Sequence, residues 1–513
     1  MIRILRNLGR LFVIVRTLGR YNALFADELA DIAPGLALIA RLLSRRSVPD
    51  RIGRRLSAAL ADLGPTFIKL GQALSIRSDL VGEQIAADLA DLRDRLPPFP
   101  FENVRAIIEG ELGRPLETLY SSFDEKSIAA ASIAQVHFAV TAAGEEVAVK
   151  VLRPGIEHTF RRDVELFFWL AELALWLQPG LRRLRMCEVV DMFYRTTCME
   201  MDLRMEASAA SELAHNFIGD QTFRVPSVNW DLTAQRVLTL ERIHGIKVVE
   251  GVQMRAMGYD PDRVMAHAAS TFFNQVFRDG YFHADLHPGN LFVQSDGSIA
   301  AVDFGIMGRL DWATRTYLAD MLIGFLTGDY RRVAKVHFQA GYVPAHHSLD
   351  VFTQACRAIG EPLLNKPLNE ISVGKLLAQL FTVTEQFEME TQPQLLLLQK
   401  SMLIAEGVGR TLNPAINMWE LARPLIEAWM RENRGPEARV VDELDSILTM
   451  ARRLPAVVRG MEKTVEMMTG SGLRLHPETV AVLTRSRVSR FDLWLLRLTF
   501  VLMLLAVVAL WFR

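Results

Sequence analysis

Cysteine is nearly absent. Cys187, Cys198 and Cys356 are the only three in 513 residues. They fall at no metal-binding or redox spacing, so no disulfide framework is expected and a reducing compartment suits the chain. Net charge is also lacking: 58 basic against 59 acidic side chains leave −1 at pH 7, which favours neither nucleic acid nor an acidic surface as partner. No cleavable signal peptide is expected, because arginines interrupt every apolar run of Met1–Arg16 and no small-residue cleavage site follows. What is abundant is apolar surface. Half the residues (50%) are hydrophobic and mean hydropathy is +0.15, high for a soluble protein and a pointer to membrane contact.

The stretch Tyr281-Phe-His-Ala-Asp-Leu-His-Pro-Gly-Asn290 sets Asp285 before Asn290, and Val302-Asp-Phe-Gly305 follows. Between them, Leu291–Val302 reads as strand, Asp296-Gly297 turn, strand, a hairpin that brings both motifs to one edge. Kinase-like folds hold nucleotide phosphates and metal this way. A base beside the attacking hydroxyl must not be tied up on metal, which makes Asp285 the candidate acid/base. Asn290 and Asp303 are the candidate Mg²⁺ ligands. The competing reading makes His283, Asp285 and His287 the ligands of a metallohydrolase.

Upstream, Glu146-Val-Ala-Val-Lys150 closes a strand–turn–strand pattern, with Lys150 suited to the α- and β-phosphates of ATP. The preceding loop lacks glycine. Ala129, Ala130, Ala131, Ser132, Ile133, Ala134, Gln135, Val136 and His137 stand where a Gly-rich loop would close over phosphates. Each Cβ restricts positive φ, so this loop must bind nucleotide in a different shape. Glu206, on a later helix, is the candidate ion-pair partner of Lys150. The strand Arg236–Gly245 leads to an interlobe hinge, with adenine expected against backbone near Glu241–Ile243. A long activation loop and an Ala-Pro-Glu motif are missing after Asp303-Phe-Gly305, and position 284 is Ala where protein kinases usually carry Arg. No peptide platform is expected.

Five motifs thus occur in order: Lys69-Leu-Gly-Gln72, Ala129–His137, Val-Ala-Val-Lys150, the acids Glu200 and Asp202, and His283–Asn290. Together they resemble the UbiB family of atypical kinase-like proteins. Leu395–Lys400, Glu406–Arg410 and Asn413-Pro414 resemble its proteobacterial ubiquinone-biosynthesis branch. The resemblance runs from about residue 60 to about residue 430. It implies ATP and Mg²⁺ as cofactors, a role in ubiquinone biosynthesis, and ubiquinone precursors or their enzymes as partners. It also implies that Lys69 and Gln72 gate the site, with Glu200 and Asp202 facing Lys69. A ring-hydroxylase activity finds no support, since there is no flavin fingerprint, haem motif or di-iron Glu-x-x-His pair. A protein kinase and a nucleotide-gated lipid-binding scaffold remain the alternatives.

The ends point to lipid. Residues 1–60 hold eleven Arg against four acids, and Leu5, Leu8, Leu11, Phe12 and Val15 recur at helical spacing. Segment 1–20 is therefore a basic amphipathic helix, suited either to an anionic leaflet or to packing on its own domain. Leu493–Phe512 reads as a transmembrane helix of roughly 30 Å, with Arg485, Arg487, Arg490 and Arg497 on its N-terminal side holding the catalytic body on the cytoplasmic face of a bacterial inner membrane. The expected class is α+β, a bilobal protein-kinase-like fold with added N- and C-terminal helices and a C-terminal transmembrane helix. Its divisions are basic amphipathic helices over 1–56, the Lys-x-Gly-Gln extension over 57–125, and the core over 126–345. Within the core the N-lobe covers 126–243 and the C-lobe 244–345. A helical extension over 346–485 and an anchor over 491–513 complete the chain.

Overall fold

The computed structural model describes residues 2–24, 50–75, 81–90, 92, 96–177, 186–248, 251–362, 383–384, 386–389, 392–412 and 418–434. Helices α1 (Ile2–Arg20), α2 (Ile52–Leu63), α3 (Pro65–Ser75) and α4 (Glu83–Ala90) each turn an apolar stripe inward. Ile14, Leu56, Leu60, Phe67 and Leu89 meet there with Leu166. The arginines of α1 are drawn into this body. Arg10 Nε donates to Asp163, 1% exposed, at 2.8 Å, and its guanidinium lies 5.2 Å from the Phe67 ring centre. Arg6 pairs with Glu165 at 2.6 Å and Arg20 pairs with Asp62. Of the two expectations for segment 1–20, packing on its own domain is the one seen.

The N-lobe sheet grows from period-2 alternation. In β3 (Ala134–Thr141) and β4 (Glu146–Leu152) buried residues alternate with partly exposed ones, and β-branched Val147, Val149 and Val151 fill one face. With β1 (Tyr120–Phe123), β2 (Ala129–Ala130) and β6 (Val237–Glu241) the order is β1-β3-β4-β6, all antiparallel, with β2 on β3. Helix α5 (Phe101–Leu112) covers that face with Val104, Ile107 and Ile108. Helix α5 and strand β1 thus share the core of this sheet. Helices α6 (Ile156–Leu177), α7 (Met186–Glu200) and α8 (Leu203–Asn216) follow β4. Despite its Phe and Trp content, α6 is a core helix, with Phe160, Val164, Leu166 and Ala171 buried.

In the C-lobe, α9 (Pro261–Phe273) starts with the Asp260 cap and Pro261 at its first position. It runs into one π-helical turn, Asn274–Asp279, closed by Gly280 at φ +64°. The expected hairpin is present: β9 (Leu291–Val293) pairs antiparallel with β10 (Ile299–Ala301) around Gly297, at φ +83°. They lie between β5 (Phe223–Arg224) and β7 (Ile246–Lys247). Strand β8 (Tyr281–His283) pairs with β11 (Met307–Arg309), and Asp311 then caps α10 (Trp312–Thr327). The chain thus passes from Asp303-Phe-Gly305 through one short strand into a helix, as expected without an activation loop. After α11 (Tyr330–Gln339) and α12 (Leu349–Gly360), helices α13 (Pro393–Leu412) and α14 (Met418–Arg434) send Leu398, Val408, Leu412, Ile426 and Trp429 into the C-lobe core beside Phe272, Phe273 and Phe277.

One expectation is corrected. Among the described residues no helix is long and apolar enough to cross a membrane. The single-span inner-membrane placement is therefore carried by none of the described helices, and the anchor expected over 491–513 lies outside the described residues.

Candidate active site

The site is built around three charges. Lys150 Nζ, on β4, donates to both carboxylate oxygens of Glu206 at 2.8 and 2.9 Å and to Asp303 Oδ1 at 3.2 Å. Glu206 stands in the first turn of α8 and is 7% exposed. The Asp303 carboxylate is half exposed. Burial works against the charge of Lys150, but the carboxylates of Asp303 and Glu206 outweigh it and raise its pKa. Burial likewise opposes ionisation of Asp303, yet the adjacent ammonium holds it down to about 2. Asp303 adopts φ +73°, a left-handed conformation that Asp tolerates better than most side chains. The Phe304 N–H donates to Glu206 at 3.3 Å, so the backbone after Asp303 is held by the same acid that holds Lys150.

His283 fastens the two motifs together. It is fully buried, and its Nδ1 accepts from the Asp285 N–H at 3.1 Å. The ring proton therefore sits on Nε2 and donates to the Asp303 carbonyl at 2.6 Å. Burial lowers its pKa and favours the neutral ring this geometry requires. The π-helical turn has a local reason as well: it carries Gln275, whose Oε1 accepts from the His283 N–H at 2.9 Å. With both ring nitrogens spent, His283 cannot ligate a metal beside Asp285 and His287. Among the described residues the one trio of converging ligand atoms is His346, His347 and Glu388. His283, Asp285 and His287 therefore do not form the metal trio of the competing reading.

Asp285 lies at the loop surface, its carbonyl accepting from Asn290 Nδ2 at 3.3 Å and from the His287 N–H at 2.7 Å. The Asn290 amide oxygen stays available. An ionised carboxylate and an amide oxygen form a hard donor set that fits Mg²⁺.

Residues 91–337 match the ABC1 atypical kinase-like domain and residues 356–417 the UbiB helical domain. A relative from Pseudomonas putida (strain GB-1), named probable protein kinase UbiB, is 42% identical over 461 residues, 87% of this chain and 85% of its own. The chain belongs to the UbiB family. Relatives of the same name from Pseudomonas paraeruginosa (44% over 428 residues, 82% of this chain and 80% of theirs) and Marinobacter nauticus (40% over 462 residues, 88% and 84%) are similarly close. The kinase-like fold follows from the matched domain.

In this UbiB-family chain the Lys-x-Gly-Gln helix is α3. Lys69 Nζ lies 2.6 Å from Glu200 Oε2, the pair largely shielded at 12% and 16% exposure. Gln72 is half-buried on the same face. Gly71 lets the helix approach: a Cβ there would come within 2.7 Å of Leu92 and 2.9 Å of Leu60. Asp202 departs from expectation. Its side chain accepts from the Arg204 N–H to cap α8 and pairs with the Arg204 guanidinium at 2.7 Å, so Glu200 is the acid that meets Lys69. Lys69 thus grips the end of α7, and the next helix carries Glu206. Replacing Lys69 by Ala leaves Glu200 without its ammonium. It should cost about 1–3 kcal/mol and shift ATP and ADP affinity through Glu206. Calorimetry and nucleotide titration check this; unchanged melting and affinity would reduce α3 to packing.

The alanine loop is also partly corrected. Val136 lies opposite Lys150 in the β3–β4 register, and Ala134 shares its face. Gln135 and His137 fall on the other face by strand parity. There Gln135 closes two hydrogen bonds with the Phe99 backbone, at 2.9 and 3.2 Å, and donates to His137 Nε2 at 2.9 Å. His137 Nδ1 donates to the Asp124 carbonyl at 2.7 Å. Both are buried pins of the Pro-rich entry segment and do not face nucleotide. Ala131 to Ala134 form a tight turn, with Arg153 donating twice to the Ala131 carbonyl at 2.8 and 3.0 Å. No residue of Ala129–Ala134 takes positive φ, in keeping with the alanine Cβ atoms.

One residue went unassigned in the sequence. Lys400, on α13, places Nζ 3.2 Å from Asp285 Oδ1. The only signal was its position in a Leu-rich helical motif, which does not say where that helix docks.

Proposed function

We propose that this protein is a Mg²⁺-dependent ATPase or small-molecule phosphotransferase that supports ubiquinone biosynthesis. The observation that carries the reading is the convergence of Lys150, Glu206 and Asp303 with the Asp285–Asn290 loop, tied by one buried histidine. Lys150 contacts the α- and β-phosphates of the substrate ATP, with Glu206 fixing its direction. Asn290 and Asp303 hold Mg²⁺, which neutralises phosphate charge when bound. Asp285 takes the proton from the attacking hydroxyl or water as that oxygen bonds to the γ-phosphorus and the bond to the bridging oxygen breaks, releasing ADP. Ala129–Ala134 and Val136 line the nucleotide from above. Lys69, with Gln72 beside it on α3, gates the cleft by holding the end of α7.

After Asp303-Phe-Gly305 the chain passes through β11 straight into α10, with no long segment between them to serve as a peptide platform. This favours water or a small hydroxylated acceptor over a protein, although relatives carry the name probable protein kinase. The ubiquinone role rests on the family, and ubiquinone precursors are the proposed acceptors or effectors. Purified full-length protein should turn over ATP only with Mg²⁺, and precursor-like phenols should change the rate. Absence of both Mg²⁺-dependent nucleotide binding and turnover would end this reading.

A further inference from the structure

The catalytic loop Tyr281–Asn290 contains no lysine or arginine, yet a cation stands on its proposed base. Lys400 Nζ reaches Asp285 Oδ1 at 3.2 Å from a helix 115 residues further along the chain. An exposed ion pair of this length is ordinarily worth about 0–1 kcal/mol and means little. Three observations separate this pair from that case. Its members are only 30% and 36% exposed, at the edge of the cleft. The neighbouring residue, Ser401, is fully buried, and its Oγ donates to the Leu397 carbonyl at 3.0 Å and faces the His283 carbonyl at 3.5 Å. Helix α13 therefore touches the catalytic loop at two consecutive side chains. Finally, the helix is locked in place. Leu398, Val408 and Leu412 are buried in the C-lobe core, and Arg255 Nη2 donates to the Leu412 carbonyl at 2.9 Å. A lysine on such a rigid element arrives at Asp285 already aimed, with little ordering cost at the moment of reaction.

We infer that Lys400 is a positioning residue of the transfer site. It holds the Asp285 carboxylate toward the cleft and makes the C-terminal helical region a working part of the catalytic centre. The inference rests on the phosphoryl-transfer reading above. Among the described residues Asp285 is otherwise held through its backbone, by His283, His287 and Asn290, and Lys400 is the partner of its side chain. Without the ammonium, the carboxylate rotates among several directions and only a fraction point at the acceptor oxygen. Nucleotide binding, which belongs to Lys150, Glu206 and Asp303, is untouched.

The test uses the full-length protein with Lys400→Met, which keeps length and apolar volume, and Lys400→Arg, which keeps the charge. Initial rates at varied ATP give kcat and KM, and calorimetry gives the melting temperature. Lys400→Met should lower kcat by about 10- to 100-fold with KM for ATP within about twofold of wild type, the size expected for a misdirected catalytic group. Lys400→Arg should recover most of that loss. Wild-type kcat in Lys400→Met would overturn the inference while leaving the phosphoryl-transfer reading intact. So would a loss shared equally by KM and melting temperature and not rescued by arginine, because that is the mark of a packing residue. A wild-type protein without turnover would overturn the broader reading, and this inference with it.

Discussion

Asp285→Asn should lower ATP turnover by about 10²- to 10⁴-fold, the range associated with losing a positioned general base. Asparagine matches aspartate in shape and leaves the loop its backbone bonds to His283, His287 and Asn290. What disappears is the carboxylate that can take a proton. Lys400 can still donate to the amide oxygen at this partly exposed site, which limits the loss of stability. Nucleotide affinity should stay near wild type, since Lys150, Glu206 and Asp303 form a separate cluster. Single-turnover kinetics together with fluorescent-nucleotide titration distinguish these effects. Turnover within about twofold of wild type would mean that Asp285 abstracts no proton in the rate-limiting step.

The two motifs at the heart of the site were legible because their chemistry is local. Asp285, Asn290 and Asp303 flank one hairpin, and a hairpin can be read from a turn dipeptide between short apolar runs. Lys150 and Glu206 were legible from the kinase-like pattern, in which a strand lysine is oriented by an acid on a following helix. Errors arose where the answer depended on which way a side chain faces. Strand parity, counted from Lys150 through the β3–β4 register, sends Gln135 and His137 to the far side, but the register exists only once the sheet is formed. Glu200 and Asp202 looked equivalent as partners of Lys69. One helix ends at Glu200 and the next starts just after Asp202, and an aspartate at that position is drawn into capping it. The amphipathic Arg-rich start was ambiguous because membrane and protein reward the same pattern. Asp163, buried on α6, and Glu165 beside it supply the counter-charges for Arg10 and Arg6. Lys400 was illegible for a different reason, since docking of a distant helix is set by the whole C-lobe core.

Removing Glu206 should damage both stability and nucleotide binding. In Glu206→Ala the Lys150 ammonium, 16% exposed, keeps only Asp303, and the Phe304 N–H loses its acceptor. Breaking a buried ion pair by deleting one partner costs about 3–5 kcal/mol, and the retained Asp303 argues for the low end, about 3 kcal/mol. Glu206→Gln should cost less, because an amide oxygen can still accept from Lys150 and from the backbone. It should nonetheless weaken Mg²⁺-ATP binding, as Lys150 turns further toward Asp303 and occupies the carboxylate proposed for the metal. Acid titration adds an independent check. Asp303 is lowered from 3.8 to about 2 by Lys150 against the opposing effect of burial, so its contribution to stability is present above pH 3.8 and is lost as pH falls toward 2. Asp303→Asn should therefore flatten the pH dependence of unfolding across that window, while Glu206→Gln, which leaves Asp303 as the carboxylate beside Lys150, should preserve it. Denaturant unfolding at several pH values measures both. If Glu206→Ala unfolds like wild type and binds nucleotide equally well, Lys150 does not depend on Glu206, and the charge cluster is not what organises the site.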